Sequence, residues 1–374
     1  MSYKFSLKLN ILTPTIIANG NIISPIEYII VNKRYYRMSE KVYEKILDKY
    51  STNLNRSIYQ LLNGKIDPYI FNILKKHAKE YSIYSMPIDT SKTEGTIIEH
   101  FKNYNYTTII PSSTIKGFIR TSLLYYMLKK NVNLLIKACN RIEETLSEIN
   151  TSLLLGNFYR ARREAKRVSE EIEKMVFRVG NADILKNLRI FLNKVNNLEN
   201  VLSELKVINR NNKQTISQQL AEFIRKGSFE YIALVNIDKY KIYNEDDIEQ
   251  YNLYIEKTRK MLDKDTLFDA LKTYSRDIFD YEKDLLKEIY NNVDNFERFF
   301  NKRSFVIRIG FGSGHLWKTI ILLLIKNNKS LYDKLKDTMS KLYGRTWNLI
   351  SVKLYSGSIE VPLGFSSIFI EEVV

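Results

Sequence analysis

Near the start of the chain, Lys4 to Leu12 (KFSLKLNIL) alternates polar and apolar side chains, the period of a strand with one buried face and not of a helix. Such a strand commits the fold to a sheet whose apolar face must be covered. The cover has to come from the long stretches of helical spacing elsewhere. From Ser39 to Tyr81 apolar residues recur as in Val42, Ile46, Leu47 and Tyr50, with Pro68 interrupting. Thr107–Ile110 is β-like and ends at Pro111, after which Ser112, Ser113 and Thr114 are N-cap candidates for a helix to about Lys130. Residues 133 to 178 continue as polar helix, and Arg178 to about Leu205 mixes short strand-like and helical pieces. Ile26–Val31 and Ser228–Asp238 read as extended, and Phe305–Ile309 as a strand running into glycines, then an apolar helix from Leu316 to about Lys326. A helix ends near Tyr343, and Val352–Leu354 and Pro362–Phe365 look extended. Strands separated by helical blocks predict an α+β fold, a small antiparallel sheet with helices on one face. There is no fixed-period repeat.

Charge narrows the partner. Lys and Arg number 58 against 42 Asp and Glu, a net +16, which favours a polyanion, nucleic acid first. The excess is uneven: residues 245–298 hold 15 acidic and 9 basic side chains. The single cysteine, Cys139, leaves no intramolecular disulfide and no cysteine-built zinc site. A reducing cytoplasm is the expected setting, with no signal-peptide pattern at Met1–Leu12. The longest apolar run, Ile320–Ile325, is far short of the roughly 20 residues that a spanning helix needs, so no membrane is expected.

Three constellations suit a phosphodiester. At the helix start, Ser113 lies among free backbone N–H groups, and Lys116 and Arg120 share a face four residues apart. Gly117 permits close approach there; the alternative is an ordinary capped helix with two solvated cations. The second is the loop of Gly310, Gly312 and Gly314, with Arg308 before it and Lys318 after it. It is neither a dinucleotide fingerprint nor a Walker loop, because His315 stands where each needs glycine and Leu316 where the latter needs lysine; a tight structural turn is the competing reading. The third is Arg160, Arg163 and Arg167, a helical stripe able to track a backbone or to pair with acids such as Glu170 and Glu171. The three histidines, His77, His100 and His315, lack metal-ligand spacing. No cofactor or metal is expected, and His315 or His77 would be the base of any acid–base chemistry.

Several segments resemble the RAMP superfamily of CRISPR proteins, most closely its fifth-Csm-subunit family of type III-A effectors. Thr13-Pro14-Thr15-Ile16-Ile17-Ala18-Asn19-Gly20 and Ser24-Pro25-Ile26-Glu27-Tyr28 are similar to that family's opening S-P-V-H-I-G-S-G and S-P-L-D-Y. Ile16 replaces its histidine and Ala18 a glycine. Ile110-Pro111-Ser112-Ser113-Thr114-Ile115-Lys116-Gly117 with Arg120-Thr121 resembles I-P-G-S-S-I-K-G…R-T. Glu222 with Lys226-Gly227-Ser228-Phe229, Arg308 to Gly314, and Pro362-Leu363-Gly364-Phe365 resemble E…K-P-G-T-x-F, R-x-G-x-G-S-G and P-L-G-W/F. Arg178-Val179 with Asp183 loosely matches R-V-S-D.

The resemblance implies a ferredoxin-like, RRM-like core with large helical insertions. The core would take 1–130, 215–244 and 299–374; 131–214 would be a helix-rich insertion and 245–298 an acidic helical one. It also implies a non-catalytic subunit that caps the 3′ end of the guide RNA (crRNA) and supports its maturation in antiviral defence. Its neighbours would be the repeated backbone RAMP subunit and the small helical subunit, with target RNA nearby. The alternatives are a metal-independent RAMP endoribonuclease for repeat RNA and the backbone subunit itself.

Overall fold

The computed structural model describes residues 2–39, 42, 44, 68–236, 247–301, 303–344 and 351–372; Ile46, Leu47 and Tyr50 lie outside them. The chain opens with β1 (Ser2–Ile11), β2 (Ala18–Ile23), β3 (Tyr28–Val31) and β4 (Arg34–Met38). The helices α1 (Pro68–Lys76) and α2 (Ala78–Tyr81) precede β5 (Ser82–Pro87) and β6 (Ile97–His100). Next come α3 (Ser112–Lys130), α4 (Val132–Leu154), α5 (Phe158–Phe177) and the short pair β7 (Arg178–Val179) and β8 (Ala182–Asp183). Two 22-residue strands follow, β9 (Leu188–Asn209) and β10 (Thr215–Asn236). After α6 (Asp247–Leu262) and α7 (Lys264–Leu286) come β11 (Ser304–Arg308), α8 (Ile321–Asn327) and α9 (Lys329–Tyr343). The strands β12 (Ser351–Ser356), β13 (Glu360–Pro362) and β14 (Phe365–Glu372) close the described chain.

The fold is α+β, as its patterning predicts. Among the described residues, one nine-stranded sheet runs in the order β11-β14-β1-β10-β9-β12-β13, with β6 parallel to β10 and β2 antiparallel to β6. A second sheet joins β3, β4 and β5. On β1 the alternation is realised residue by residue: Phe5, Leu7, Leu9 and Ile11 are buried, each contributing about 1.5–3 kcal/mol. They share a core with Ile115 and Ile119 of α3 and Leu271, Tyr274 and Ile278 of α7. Tyr274 meets Tyr125 edge-on at 5.1 Å and donates its hydroxyl to the Leu316 carbonyl at 3.1 Å.

Several segments differ from expectation. Pro25–Glu27 is a single 3₁₀ turn, tied by the Ser24 N–H to Glu27 Oε2 at 2.6 Å, so the strand starts only at Tyr28. Pro68–Lys76 is helical, and the residues before Pro68 that would show whether it interrupts a helix lie outside the described ones. The helix-rich stretch set at 131–214 ends at Phe177, and Leu188–Asn209 is a central strand. Its middle residues are polar and lie opposite register shifts at Ile224/Lys226, Lys226/Ser228 and Glu230/Tyr231, so no steady period of two survives there. The helix expected from Leu316 begins at Ile321, because Leu316–Lys318 is a 3₁₀ turn. The acidic stretch 245–298 is helical over α6 and α7, yet α7 is a core helix and not only a solvated one.

The sheet's edge strands are joined by backbone contacts between both ends of the chain. Phe311 donates to the Ile16 carbonyl at 2.9 Å, Ile309 to Gly364 at 2.9 Å, and Gly364 to Pro14 at 3.0 Å. Gly310 and Gly364 sit at φ +73° and +85°, and a Cβ on them would strike the carbonyl oxygens of Ile16 and Ile309. Gly312 would likewise strike that of Leu363. Gly364→Ala is therefore expected to lower stability by about 2–3 kcal/mol, read as an earlier midpoint in urea. An unchanged midpoint would contradict the tight junction.

A buried polar cluster lies where β6 meets β10. Glu222 is 1% exposed, pairs with the Lys102 ammonium, and accepts from Tyr84 Oη at 2.8 Å and the His100 N–H at 3.1 Å. His100 is fully buried, and that burial pushes its pKa down to about 3. The unfolded chain binds this proton below about pH 6.5 whereas the folded chain refuses it, so stability falls with pH by up to about 1.4 kcal/mol per unit. Replacing the imidazole by a neutral amide, His100→Gln, should flatten urea stability between pH 6.5 and 4.5 relative to wild type. Equal slopes would mean that His100 is protonated in the fold.

Candidate nucleic-acid interface

The α3 N-terminus, the glycine loop and the segment after β1 enclose a cavity of about 450 Å³. From α3 it takes Ser113, Gly117 and Thr121, four residues apart and so on one face, with Thr114 and Phe118 beside them. The helix starts with Pro111 at the N-cap and no capping side chain, where Ser112, Ser113 and Thr114 were the candidates. The Thr114 N–H closes on the Pro111 carbonyl at 2.9 Å, and no side chain caps the N–H groups of Ser112 and Ser113, which face an external acceptor. A Cβ on Gly117 would meet nothing within 4 Å, so the helix surface is open at the cavity mouth.

The glycine loop supplies Gly310, Phe311 and Ser313, followed by Trp317 and Lys318. Its glycines divide into two kinds. Gly310 and Gly312 are small because protein backbone fills the space, so they do not make room for RNA as expected. Gly314, at φ +60° with nothing within 4 Å of a built Cβ, is the one with open space. Ser313 Oγ donates to the Gly310 carbonyl at 2.7 Å. Lys353 Nζ donates to the Phe311 carbonyl at 2.9 Å and lies 4.4 Å from that ring's centroid. Lys318 is exposed, with its amine pKa lowered by partial burial.

Arg308 is not the surface cation anticipated. It is 3% exposed, forms an ion pair with Glu282 through Nη1 and donates Nε–H to the Leu363 carbonyl at 2.7 Å. Trp317 Nε1–H donates to the other Glu282 oxygen at 2.6 Å. Buried Nη2 has no protein partner among the described residues, although Arg308 belongs to the cavity wall. An unmade bond on a buried guanidinium is costly.

Lys116 and Arg120 share a face as predicted, but that face turns away from the cavity. Lys116 Nζ donates to the Leu188 carbonyl at 2.7 Å; burial, then the Arg120 charge, lowers its pKa. Arg120 lies 3.2 Å from Glu173 and 3.8 Å from Asp183. The arginine stripe of α5 is also broken. Arg167 pairs with Glu148, Glu164 and Glu171, and Arg163 lies 3.9 Å from Glu164. Arg160 is exposed. His77 bonds Glu80 at 3.0 Å, and neither it nor exposed His315 lines the cavity. Among the described residues no three His, Cys, Asp or Glu group as a metal site, and no helix is long and apolar enough to cross a membrane. Sequence reasoning missed Thr121, Phe311 and Trp317, and Lys353 that braces Phe311 from outside the cavity wall. The helical four-residue spacing from Ser113 through Gly117 could have found the first of these.

The chain belongs to the RAMP superfamily, whose family model matches residues 8–317. Within it, the chain is 24% identical over 376 residues to the CRISPR protein Csm5 of Methanocaldococcus jannaschii, covering 94% of this chain and 82% of that one. Its fold is similar to a chain of a Csm–crRNA–target RNA ternary complex of a type III-A CRISPR-Cas system, with TM-score 0.67, 21% identity, and 99% of this chain and 100% of that one covered. It is also similar to Csm5 of T. onnurineus, with TM-score 0.62, 19% identity, and coverages of 96% and 99%.

The Arg308–Glu282 pair yields a stability prediction. Arg308→Met strands a buried carboxylate and should cost about 3–5 kcal/mol; adding Glu282→Leu should recover a large part of it. Additive losses in urea unfolding would show that the two groups do not depend on each other.

Proposed function

We propose that this chain is a guide-RNA-binding subunit of a type III-A CRISPR effector, and that the cavity between α3 and the glycine loop holds the sugar-phosphate backbone near the guide's 3′ end. The observation that carries the reading is convergence. Three segments distant in sequence, each resembling a RAMP motif, enclose one cavity that combines a helix start without a capping side chain, the Ser113 hydroxyl and the Lys318 ammonium. These are donors for phosphate and ribose oxygens that read no base edge. The unpartnered Nη2 of Arg308 adds a buried donor in the cavity wall. Likeness to a chain from a Csm–crRNA–target RNA complex supports the same class of ligand, as does the net charge of +16. The repeated backbone RAMP subunit and the small helical subunit are the proposed neighbours.

The endoribonuclease reading needs a general base within hydrogen-bond reach of a ribose 2′-hydroxyl. The cavity wall, among the described residues, has no His, Asp or Glu side chain, which favours holding over cleavage. Gly117→Leu separates RNA binding from structure. With nothing within 4 Å of the built Cβ and a better helix former in place, folding stability should hold or rise by up to about 1 kcal/mol. Affinity for guide RNA should fall about tenfold, near 1.4 kcal/mol. Lys318→Ala should reduce the slope of log affinity against log salt by about 0.7, one single-strand phosphate contact. Wild-type affinity and slope in both variants would remove the cavity from the RNA path.

A further inference from the structure

Away from the cavity, the turn after β6 displays two aromatic rings in a way that packing does not require. Tyr104 is 90% exposed and Tyr106 49%. The Tyr106 N–H bonds the Asn103 carbonyl at 3.0 Å and the Asn103 N–H bonds that of Thr107 at 2.9 Å. The Asn103 side chain accepts from the N–H groups of Asn105 at 3.0 Å and Thr107 at 2.9 Å. This is a turn closed by a residue in the left-handed region, and that residue is Tyr106, at φ +57°. Glycine or asparagine is the ordinary choice there, so a bulky ring is held against its backbone preference.

The ring is also braced. Its centroid lies 6.0 Å from that of Tyr84, and Tyr84 is anchored by its bond to Glu222 and by Lys102 Nζ at 4.4 Å from its centroid. The turn is fixed to the cavity wall as well, through the Phe101 N–H to the Ile17 carbonyl at 2.8 Å.

We infer that Asn103–Thr107 is a second RNA contact, a platform on which Tyr104, with Tyr106 beside it, stacks an unpaired base. The inference rests on the RNA-binding reading and adds what that cavity lacks, an exposed π-face outside it. Every base offers such a face, so the contact is sequence-tolerant. Rigid presentation lowers the ordering cost of stacking, which is what a strained, doubly capped turn supplies. A protein partner would also use exposed tyrosines, and the test separates the two.

The full-length protein is titrated with a single-stranded oligouridylate and with the same strand made abasic, and is photo-crosslinked to its 5-iodouridine form. Wild type should bind the complete strand about five- to a hundredfold tighter than the abasic one, with crosslinks on the 103–107 turn. Tyr104→Ala should close most of that gap at unchanged stability. Tyr106→Gly, which relieves the backbone, should keep or raise stability while weakening binding to the complete strand. A Tyr104→Ala protein that discriminates the strands as wild type does, or whose only defect is in joining other subunits, overturns the platform and leaves the cavity reading standing. Wild-type protein that binds neither strand overturns both.

Discussion

Everything at the candidate site depends on a meeting of main chains. The carbonyls of Pro14, Ile16 and Gly364 accept from Gly364, Phe311 and Ile309, and this closeness is available only because residues 310, 312 and 364 have no Cβ. The contact unites both ends of the chain with the β11–β14 edge of the sheet. It therefore fixes the glycine loop relative to α3, which packs on the same core. Beneath it, Arg308 reaches to Leu363 through Nε and to Glu282 of α7 through Nη1. One guanidinium thus joins loop, closing strand and core helix, and the cavity wall inherits its rigidity from that crossing.

What sequence could and could not disclose follows from the same contacts. The alternation on β1, the strand before the glycines and the helix after Pro111 were legible because each is a local pattern with a single period. The role of the glycines was not: a missing Cβ shows that something comes close, not whether it is RNA or the chain itself. Helical spacing correctly put Lys116 and Arg120 on one face, yet nothing local said that this face meets the Leu188 carbonyl and Glu173. Only the last part of β10, from Ser228, reads as a strand; β9 and the start of β10 escaped because the solvated middle, around Asn196 and Asn197, and the register shifts erase the period of two. Glu282 lay in a segment that read only as an acidic helical stretch, with no local sign that one of its carboxylates is buried. Only the tertiary fold brings it against Arg308 and the Trp317 indole.

Net charge, the coarsest clue, survives in altered form. Several cations that suggested RNA contacts are already compensated. Arg308 is paired with Glu282, Arg120 with Glu173, and Arg167 with three glutamates. The acidic helix α7 likewise supplies Asp277 to Lys129. What remains at the cavity, among the described residues, is one exposed ammonium, Lys318, together with the Ser113 hydroxyl and the first N–H groups of α3, which no side chain caps. On the proposed reading, a site of that composition would hold a phosphodiester more through fixed dipoles than through ion pairs, and its salt dependence would be shallow because dipoles release few counterions.

Two local costs point to the same conclusion from independent positions. The buried Nη2 of Arg308 goes without an acceptor among the described residues, and Tyr106 holds a left-handed backbone while its neighbour Tyr104 stands almost wholly in solvent. Neither improves folding. A methionine would spare the first only if Glu282 were also removed, and a glycine would spare the second outright. Features that disfavour the free chain persist where a ligand supplies the missing interaction. On the proposed reading the two would be complementary, a donor that lacks an oxygen and an exposed ring, Tyr104, that could stack a base, both of which a single-stranded nucleic acid can supply.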